Sequence, residues 1–337
     1  MFWIIAYNLI VLNAWLQFLI SAFIILIAGS KLAGYGDIIA RRTGLGGVWL
    51  GSILIAAITS MPELSTSISA SIIKSPDIAI GNIFGSNIFN MIIIALSDLA
   101  ATVHPILSFV SPIHILTAAF GMLLSALGAV FVLARLPFSI FGVGVDSLII
   151  LFTYLFGVKL LFEKTKGGIS EEAKPGEMSL GQAYLGFIIC AIAVIGAGIW
   201  LSISGSKLAV LTRLGETFIG STLVAMSTSL PEVVVSISAA SIGAYDIAIG
   251  NVLGSNIFNM VIIAASDIAY RGGPILSNIS SAHAITALLG LILSSMVVVA
   301  LFYKSKRTIL NIGIDSWLIV LTYLLGLYFL FLRGLKL

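Results

Sequence analysis

The sequence has few charged residues, one cysteine and three histidines in 337 residues. Only 9% of its residues are Asp, Glu, Lys or Arg, whereas about 25% is usual in soluble domains. So few charges cannot cover the surface of a water-soluble protein of this length, which excludes that class. A single cysteine excludes an intrachain disulfide, and a net charge of +3 is too small to predict a nucleic-acid-binding surface.

Apolar residues are abundant instead: they make up 59% of the chain, and the mean hydropathy is +1.16. A membrane-spanning helix needs about 20 mostly apolar residues. The composition therefore predicts an all-α, polytopic protein with ten transmembrane helices, and we expect it in the plasma membrane. The ten predicted spans are residues 8–29, 46–73, 77–97, 111–134, 141–162, 183–204, 217–242, 246–266, 284–303 and 310–332.

The sequence contains one pattern twice, with an offset of 169 residues between the copies. Ser60-Met61-Pro62-Glu63 recurs as Ser229-Leu230-Pro231-Glu232, and segment 81–91 recurs at 250–260. Between the copies lies a polar segment, so we predict a first repeat (1–163), a linker (164–179) and a second repeat (180–337). Because each copy has five predicted spans, an odd number, the second copy inserts upside down. Inverted repeats of this kind are typical of secondary transporters.

Among the repeat-related acidic residues, only Glu63 and Glu232 lie well inside an apolar stretch. A charge near the bilayer centre costs at least ~2.5–3.5 kcal/mol and normally marks an ion or proton pathway. Two carboxylates that meet between the repeats repel each other unless a cation or protons lie between them. A proline kink without any ligand role is the structural alternative for this motif.

The residues around the two prolines suit a hard cation. Pro62 and Pro231 lack a backbone N–H, so carbonyls of the preceding turn are free to face a cavity. Ca²⁺ takes about 6–8 oxygen ligands, and two bidentate carboxylates plus two carbonyls supply about six of them. Soft ligands are nearly absent, which argues against zinc or copper. The neighbouring carbonyls and hydroxyls belong to Thr59, Ser60, Thr228 and Ser229.

A polar stripe follows the carboxylate in each copy. Its members are spaced four residues apart and therefore share one helix face. Amides and hydroxyls bind a cation without adding charge, so the protein charge of the pocket stays near −2; helix packing is the alternative role. Gly81 and Gly85 allow another backbone to approach closely. The stripes are Asn82, Ser86 and Asn90, and Asn251, Ser255 and Asn259.

The other repeat-related acids have structural interpretations. Asp77 and Asp246 stand at predicted helix starts, where a carboxylate caps free N–H groups; a role in ion access is the alternative. Asp98 and Asp267 come eight residues after the stripes, and we expect them at the water interface. The histidines expected at the interface are His114 and His283.

At these motifs the sequence resembles the cation/calcium antiporter superfamily, specifically its sodium/calcium exchanger branch. The resemblance covers essentially the whole chain and rests on segments 59–63 and 81–90 with 228–232 and 250–259. It implies an antiporter, not an enzyme, that exchanges Na⁺ for Ca²⁺ by alternating access at four ion positions. The implied partners are the two ions and the lipid bilayer, without a cofactor, nucleic acid or obligatory protein partner.

The resemblance also implies a set of ligands. Glu63 and Glu232 would bind Ca²⁺ together with the carbonyls of Thr59 and Thr228. Na⁺ would use the same carboxylates with further carbonyls and hydroxyls, and two amides would line the middle position. These further ligands are the carbonyls of Ala56 and Ala225, then Thr59, Thr228, Ser60, Ser229, Ser86 and Ser255, and in the middle Asn90 and Asn259.

Three departures from the family pattern affect this interpretation. Ile58 and Ser227 stand where the family usually has Gly, so the local unwinding can differ. Asn259 stands where some members have an acid, which argues against a potassium-dependent exchanger. Proton/calcium relatives have a Glu soon after the Gly-Asn pair, and this sequence does not, which favours Na⁺. The alternatives are a Ca²⁺/H⁺ exchanger of the same fold, a passive cation channel and an intramembrane hydrolase.

Overall fold

A computed structural model describes residues 2–42, 48–101, 105–165, 178–310 and 312–334, and most of them are helical. The predicted linker, 164–179, lies outside the described residues except at its ends. In the first half the helices are α1 (Phe2–Arg42), α2 (Val48–Thr59), α3 (Met61–Ile72), α4 (Pro76–Ala100), α5 (Ile113–Ala134) and α6 (Val145–Thr165). In the second half they are α7 (Leu180–Thr212), α8 (Gly215–Ile219), α9 (Ala225–Thr228), α10 (Leu230–Ser241), α11 (Tyr245–Ala269), α12 (Ala282–Tyr303) and α13 (Ile314–Gly334).

Short elements connect these helices in the same order in both halves. A two-stranded antiparallel hairpin precedes the last helix of each half, and a 3₁₀ turn follows each 25-residue helix. The halves differ where a π-helical turn, Gly220–Val224, joins α8 to α9. The hairpins are β1 (Ser139–Ile140) with β2 (Val143–Gly144), and β3 (Thr308–Ile309) with β4 (Ile312–Gly313); the 3₁₀ turns are Ile106–Ser108 and Ile275–Ser277.

Many of the helices are long and apolar enough to cross a bilayer. Among the described residues seven pass this test singly, and two bent pairs, α2–α3 and α8–α10, pass together, which gives seven to nine spans by length and composition. Every predicted span overlaps a helix. The prediction of a polytopic helical membrane protein is confirmed, and the count of ten spans stays a prediction.

The helices pack around a polar centre. α4 and α11 are almost entirely buried, whereas α1 and α7 pack along each other and expose apolar side chains on their outer faces. α5 packs against α12. The two most buried helices are thus the ones that carry the polar stripes. Polar side chains can lie in the interior of this bundle because lipid, and not water, surrounds it.

Asp98 and Asp267 are fully buried, so the expectation of a water-interface position is wrong. The Asp98 carboxylate accepts hydrogen bonds from Ile106 N (2.7 Å), Gly313 N (2.6 Å) and Ser316 Oγ (2.9 Å). Each aspartate therefore ties the end of its own stripe helix to the hairpin of the other half. The donors to Asp267 are Gly144 N at 2.6 Å and Ile275 N at 2.7 Å.

Asp77 and Asp246 also bond to the opposite half rather than to their own first turn. His283 Nε2 lies 2.9 Å from Asp77 Oδ1, and His114 Nε2 lies 3.0 Å from Asp246 Oδ1. Both histidines are buried beside these aspartates, and their expected position at the membrane interface stays a prediction. The backbone donors to the same carboxylate oxygens are Ser280 N for Asp77 and Ser111 N for Asp246, each at 2.7 Å.

Asp98→Asn should lower the thermal unfolding midpoint of the detergent-solubilised protein. Hydrogen bonds to a charged group contribute about 1.5–3 kcal/mol each. In the neutral amide, one of the two buried backbone N–H donors meets the carbonyl oxygen, which is a weaker acceptor, and the other meets the NH₂ group. Glu163→Gln, at an exposed position of α6, is the control and should leave the midpoint unchanged. Equal midpoints for Asp98→Asn and wild type would show that Asp98 does not hold the hairpin in place.

Candidate cation site

Two bent helix pairs carry the carboxylates. α2 meets α3 near Ser60 at 46°, and the α8–α9 segment meets α10 near Ser229 at 47°. Pro62 and Pro231, two residues beyond each break, lack the N–H that would continue the helical hydrogen bonds. The bends therefore follow from the local Ser-x-Pro-Glu sequence.

Backbone carbonyls are left free at each break. In the first, Ser60 N bonds to Ala56 O at 3.0 Å and Leu64 N bonds to Ser60 O at 3.1 Å. Pro62 has no N–H to donate to Ile58 O, and Ser60 belongs to neither helix, which leaves Thr59 O without a helical bond to Glu63 N. The second break repeats the pattern, with bonds from Ser229 N to Ala225 O and from Val233 N to Ser229 O.

Both glutamates are fully buried and hydrogen-bonded across the two halves. Glu63 Oε1 accepts from Ser229 Oγ at 2.7 Å and from Ser86 Oγ at 3.3 Å. Ser229 lies three residues before Glu232, as Ser60 lies three residues before Glu63, so the crossed serine–glutamate bonds bring both carboxylates to the same cluster. Within the described ranges, neither forms an ion pair with a basic residue. The matching donors to Glu232 Oε1 are Ser60 Oγ at 3.0 Å and Ser255 Oγ at 3.4 Å.

Four buried oxygens of this cluster have no hydrogen-bond donor among the described residues: Glu63 Oε2, Glu232 Oε2, Asn90 Oδ1 and Asn259 Oδ1. Leaving one buried polar group unsatisfied costs about 1–3 kcal/mol, and more when the group is charged. All four atoms are hard oxygen acceptors, the type that Na⁺ and Ca²⁺ prefer. A cation bound among them would remove the cost of the unpaired acceptors and the repulsion between the carboxylates.

A network of amides holds the two middle asparagines. Asn90 Nδ2 donates to Asn256 Oδ1 at 2.8 Å, and Asn259 Nδ2 donates to Asn87 Oδ1 at 3.0 Å. Asn256 Nδ2 in turn donates to Asn87 O at 3.1 Å. These bonds use the amide N–H groups of Asn90 and Asn259 and leave their oxygens unpaired.

Asn87 and Asn256 are absent from the predicted site, because they lie one residue beyond the four-residue spacing of the stripes. They face the opposite stripe helix, which only the packing of α4 against α11 shows. The repetition of an Asn directly after Gly-Ser in both copies was the signal available in the sequence.

The first residues of the stripes brace the breaks. Thr228 Oγ1 donates to Asn82 Oδ1 at 2.9 Å, and Asn82 Nδ2 donates to Ser67 Oγ at 2.9 Å. Thr59 Oγ1 donates to Asn251 Oδ1 at 3.1 Å in the equivalent arrangement. These side chains satisfy one another's hydrogen-bonding groups. Since the threonines belong to the helix breaks, Asn82 and Asn251 hold the bends in position. Asn82 and Asn251 are not among the unpaired acceptors.

All twelve predicted site residues are buried and lie at the two breaks or on the two stripe helices that pack there. The structure brings residues from both halves together through the serine–glutamate bonds described above. They are Ala56, Thr59, Ser60, Glu63, Ser86 and Asn90 from the first half, and Ala225, Thr228, Ser229, Glu232, Ser255 and Asn259 from the second.

The close backbone approach predicted at Gly81 and Gly85 is confirmed. A Cβ atom on Gly81 would lie 2.9 Å from Ser221 N, and one on Gly85 would lie 2.5 Å from Ser221 O. α4 therefore packs directly on the π turn of the second half. This contact brings Ser86, the next residue, within 3.5 Å of Ala225 O.

The fold and the cluster define a polytopic membrane protein with a buried, oxygen-lined site suited to hard cations. The profile of the family described as "Sodium/calcium exchanger protein" matches residues 13–162 and 182–332, and the chain belongs to this family. This family membership supports cation/calcium antiport, and the apolar helices agree with an integral membrane protein.

Individual relatives agree with this assignment. The chain is 31% identical to the sodium/calcium exchanger MaX1 of Methanosarcina acetivorans, over 67% of this chain and 74% of that protein. It is 28% identical to the inner membrane protein YrbG of Escherichia coli, over 73% and 76% of the two chains. A structure of the sodium-calcium exchanger NCX_Mj, soaked with 10 mM Na⁺ and 10 mM Sr²⁺, superposes with a TM-score of 0.61 at 26% identity, covering 94% of this chain and 98% of that one.

Proposed function

We propose that this protein exchanges Na⁺ for Ca²⁺ across the membrane by alternating access, with both ions bound by the twelve site residues. The observation that carries the proposal is the set of four unpaired buried oxygens, two of them on carboxylates. Together with the free carbonyls of Thr59 and Thr228 they amount to about six oxygens, within the range that Ca²⁺ takes. The pocket charge near −2 matches one Ca²⁺.

Sodium is the counter-ion that the donor set favours. In the cluster only Glu63 and Glu232 can take up a proton at ordinary pH, since Asn90 and Asn259 are amides. Hydroxyls and carbonyls beside the carboxylates offer several small oxygen sites for Na⁺. Exchange of three Na⁺ for one Ca²⁺ would move one net charge, worth about 2.3 kcal/mol per 100 mV.

The chain is proposed to cross the membrane ten times, as two inverted five-helix repeats at 1–163 and 180–337. The same order of elements in both halves supports this, as do the paired serine–glutamate bonds that relate one half to the other. The relative YrbG is an inner membrane protein, which supports a plasma-membrane location for this chain.

An asymmetry between α1 and α7 supports alternating access. The segment that starts at Gly29 in α1 recurs in α7 from Gly205, as Gly-Ser-Lys-Leu-Ala in both copies. A Cβ on Gly29 would lie 2.4 Å from Pro231 Cγ of the opposite half, whereas a Cβ on Gly205 would lie 2.9 Å from Val224 Cγ2 of its own half. The two outer helices thus contact the core differently, as expected if they slide past it.

The test is ⁴⁵Ca uptake into proteoliposomes with Na⁺, K⁺ and H⁺ gradients imposed one at a time. We expect uptake only with an outward Na⁺ gradient. Uptake should be faster when the vesicle interior is positive, because three Na⁺ leaving for one Ca²⁺ entering carries one net positive charge outward. Uptake driven by a pH gradient in Na⁺-free buffer would instead identify a Ca²⁺/H⁺ exchanger. Uncoupled currents that reverse at the Ca²⁺ equilibrium potential would identify a channel.

Asn87→Ala should weaken the stabilisation of the protein by Ca²⁺. The change leaves Asn259 Nδ2 without its acceptor, at a cost of about 1–3 kcal/mol, and releases the amide that would present Oδ1 to the ion. The measurement is the thermal unfolding midpoint with and without Ca²⁺, and we expect a smaller Ca²⁺-induced rise than in wild type. Asn278→Ala, outside the cluster, is the control; identical Ca²⁺ shifts in the two variants would contradict a role for Asn87 at the site.

A further inference from the structure

A groove of about 400 Å³ opens between α12, α13 and the β3–β4 hairpin, away from the cation cluster. Its apolar lining includes Met296, Val299 and Leu318, and Tyr303 and Arg307 lie near the end of α12. Val299 is 65% exposed and Leu318 is 49% exposed. On a membrane-spanning bundle, exposed apolar side chains of this kind face acyl chains, so the groove opens toward lipid.

Three basic side chains stand at the hairpin end of this groove. Lys304, Lys306 and Arg307 are all exposed, and in the part of the chain that the structure describes none of them forms an ion pair. The exposed apolar side chains of Ile309 and Leu310 follow at the hairpin tip. Basic side chains beside an apolar tip fit the boundary between acyl chains and anionic headgroups.

The equivalent corner of the first half has larger side chains and one basic residue, Arg135, where the second half has three. Phe131 stands at the position related to Ala300, and its side chain is only 8% exposed, so a large ring fills the place of a methyl group. Phe138 stands at the position related to Arg307. The side chains that line the groove therefore differ between the halves, and the architecture that the two halves share does not require them.

We propose that this groove binds one anionic phospholipid, with an acyl chain between α12 and α13 and the phosphate on Arg307. The guanidinium group forms paired hydrogen bonds with phosphate oxygens, and Lys304 and Lys306 add attraction at the rim. A volume of about 400 Å³ lies within the range of about 300–1,000 Å³ usual for ligand pockets. One acid, Asp315, also lines the groove, in the first turn of α13 where the helix dipole offsets its charge.

The bound lipid would stand over the joint between the hairpin and the stripe helix α4. Gly313 N, at the end of β4, and Ser316 Oγ, in the first turn of α13, donate to Asp98 at the end of α4. Ser108 Oγ holds the hairpin from the other side by donating to Ser305 O at 2.9 Å. The lipid would therefore stabilise the hairpin against α4.

The test is native mass spectrometry of the delipidated full chain, titrated with phosphatidylglycerol, phosphatidylcholine or phosphatidylethanolamine of equal chain length. We expect one phosphatidylglycerol to be retained in preference to phosphatidylcholine. Arg307→Ala should weaken its binding about fivefold, the effect of about one lost cation near the headgroup. Ala300→Phe, which copies the residue of the first half, should prevent binding by filling the groove.

Arg135→Ala is the matched control, because Arg135 is the repeat equivalent of Lys304 and should not change retention. Because Arg307 is exposed, its variant should fold and tests the proposal even if Ala300→Phe does not. Equal retention of phosphatidylglycerol and phosphatidylcholine would overturn the proposal, as would phosphatidylglycerol binding unaffected by Arg307→Ala. Preferred retention of phosphatidylethanolamine would also overturn it, by assigning the groove to a zwitterion held by Arg307 and Asp315.

Discussion

Glu63→Gln and Glu232→Gln should each abolish coupled Ca²⁺ exchange. Gln has nearly the same size as Glu, so the bends and the helix packing persist, and the pocket loses one of its two negative charges. Removing one member of a desolvated charge pair costs about 2–5 kcal/mol, which corresponds to roughly 30-fold to several-thousand-fold weaker Ca²⁺ binding. The measurement is the rate of Na⁺-driven ⁴⁵Ca uptake over a range of Ca²⁺ concentrations.

Glu163→Gln makes the same chemical change at an exposed position of α6 and should leave uptake at the wild-type rate. The two site variants should also affect exchange similarly, because Glu63 and Glu232 have equivalent hydrogen-bond partners in the opposite halves. A site variant with wild-type uptake would show that its carboxylate is a structural group and not a ligand. The account of exchange given above would then fail.

Gly85→Ala should lower both stability and transport strongly. The added Cβ would lie 2.5 Å from Ser221 O, 2.6 Å from Ser221 Cα and 2.7 Å from Ala225 Cβ, and the first two are backbone atoms that cannot rotate away. Overpacking of this kind costs about 1–3 kcal/mol and occasionally more. Because Ser86 is the next residue, a shift of α4 away from the π turn also moves a donor to Glu63.

Gly121→Ala is the matched control for this packing prediction. A Cβ on Gly121 would meet only Ile257 Cγ1 at 3.9 Å, an ordinary van der Waals contact, so the midpoint of thermal unfolding should hold or rise. For Gly85→Ala we expect a lower midpoint in detergent and lost ⁴⁵Ca exchange. If the two alanine variants behaved alike, α4 would not need the close approach to the π turn.

Local features of the site were predictable because they depend on nearby residues. Pro62 and Pro231 remove an N–H wherever they occur in a helix, so the breaks could be placed without coordinates. The four-residue spacing likewise put Ser86 and Asn90 on one face of α4. The offset of 169 residues identified the matching set in the second half.

The positions of the other aspartates were not predictable in the same way. Asp98 was expected near water because charged residues at helix ends are usually solvated, but Gly313 N and Ser316 Oγ of the opposite half donate to it in the core. Asp77 was expected to cap its own helix, but its donors come from His283 and the neighbouring Ser280 N. Each partner lies about 200 residues away in the sequence, and no local pattern indicates such a pairing.

By itself the sequence determined that this protein is a helical membrane protein with two copies of one polar motif, since hydropathy, proline chemistry and periodicity are properties of short segments. The tertiary structure decided which serine donates to which glutamate, and that Asn87 and Asn256 leave the oxygens of Asn90 and Asn259 unpaired. The physical reason is that whether an acceptor finds a donor depends on every group packed around it. That surrounding set exists only after α4 and α11 have come together across the two halves.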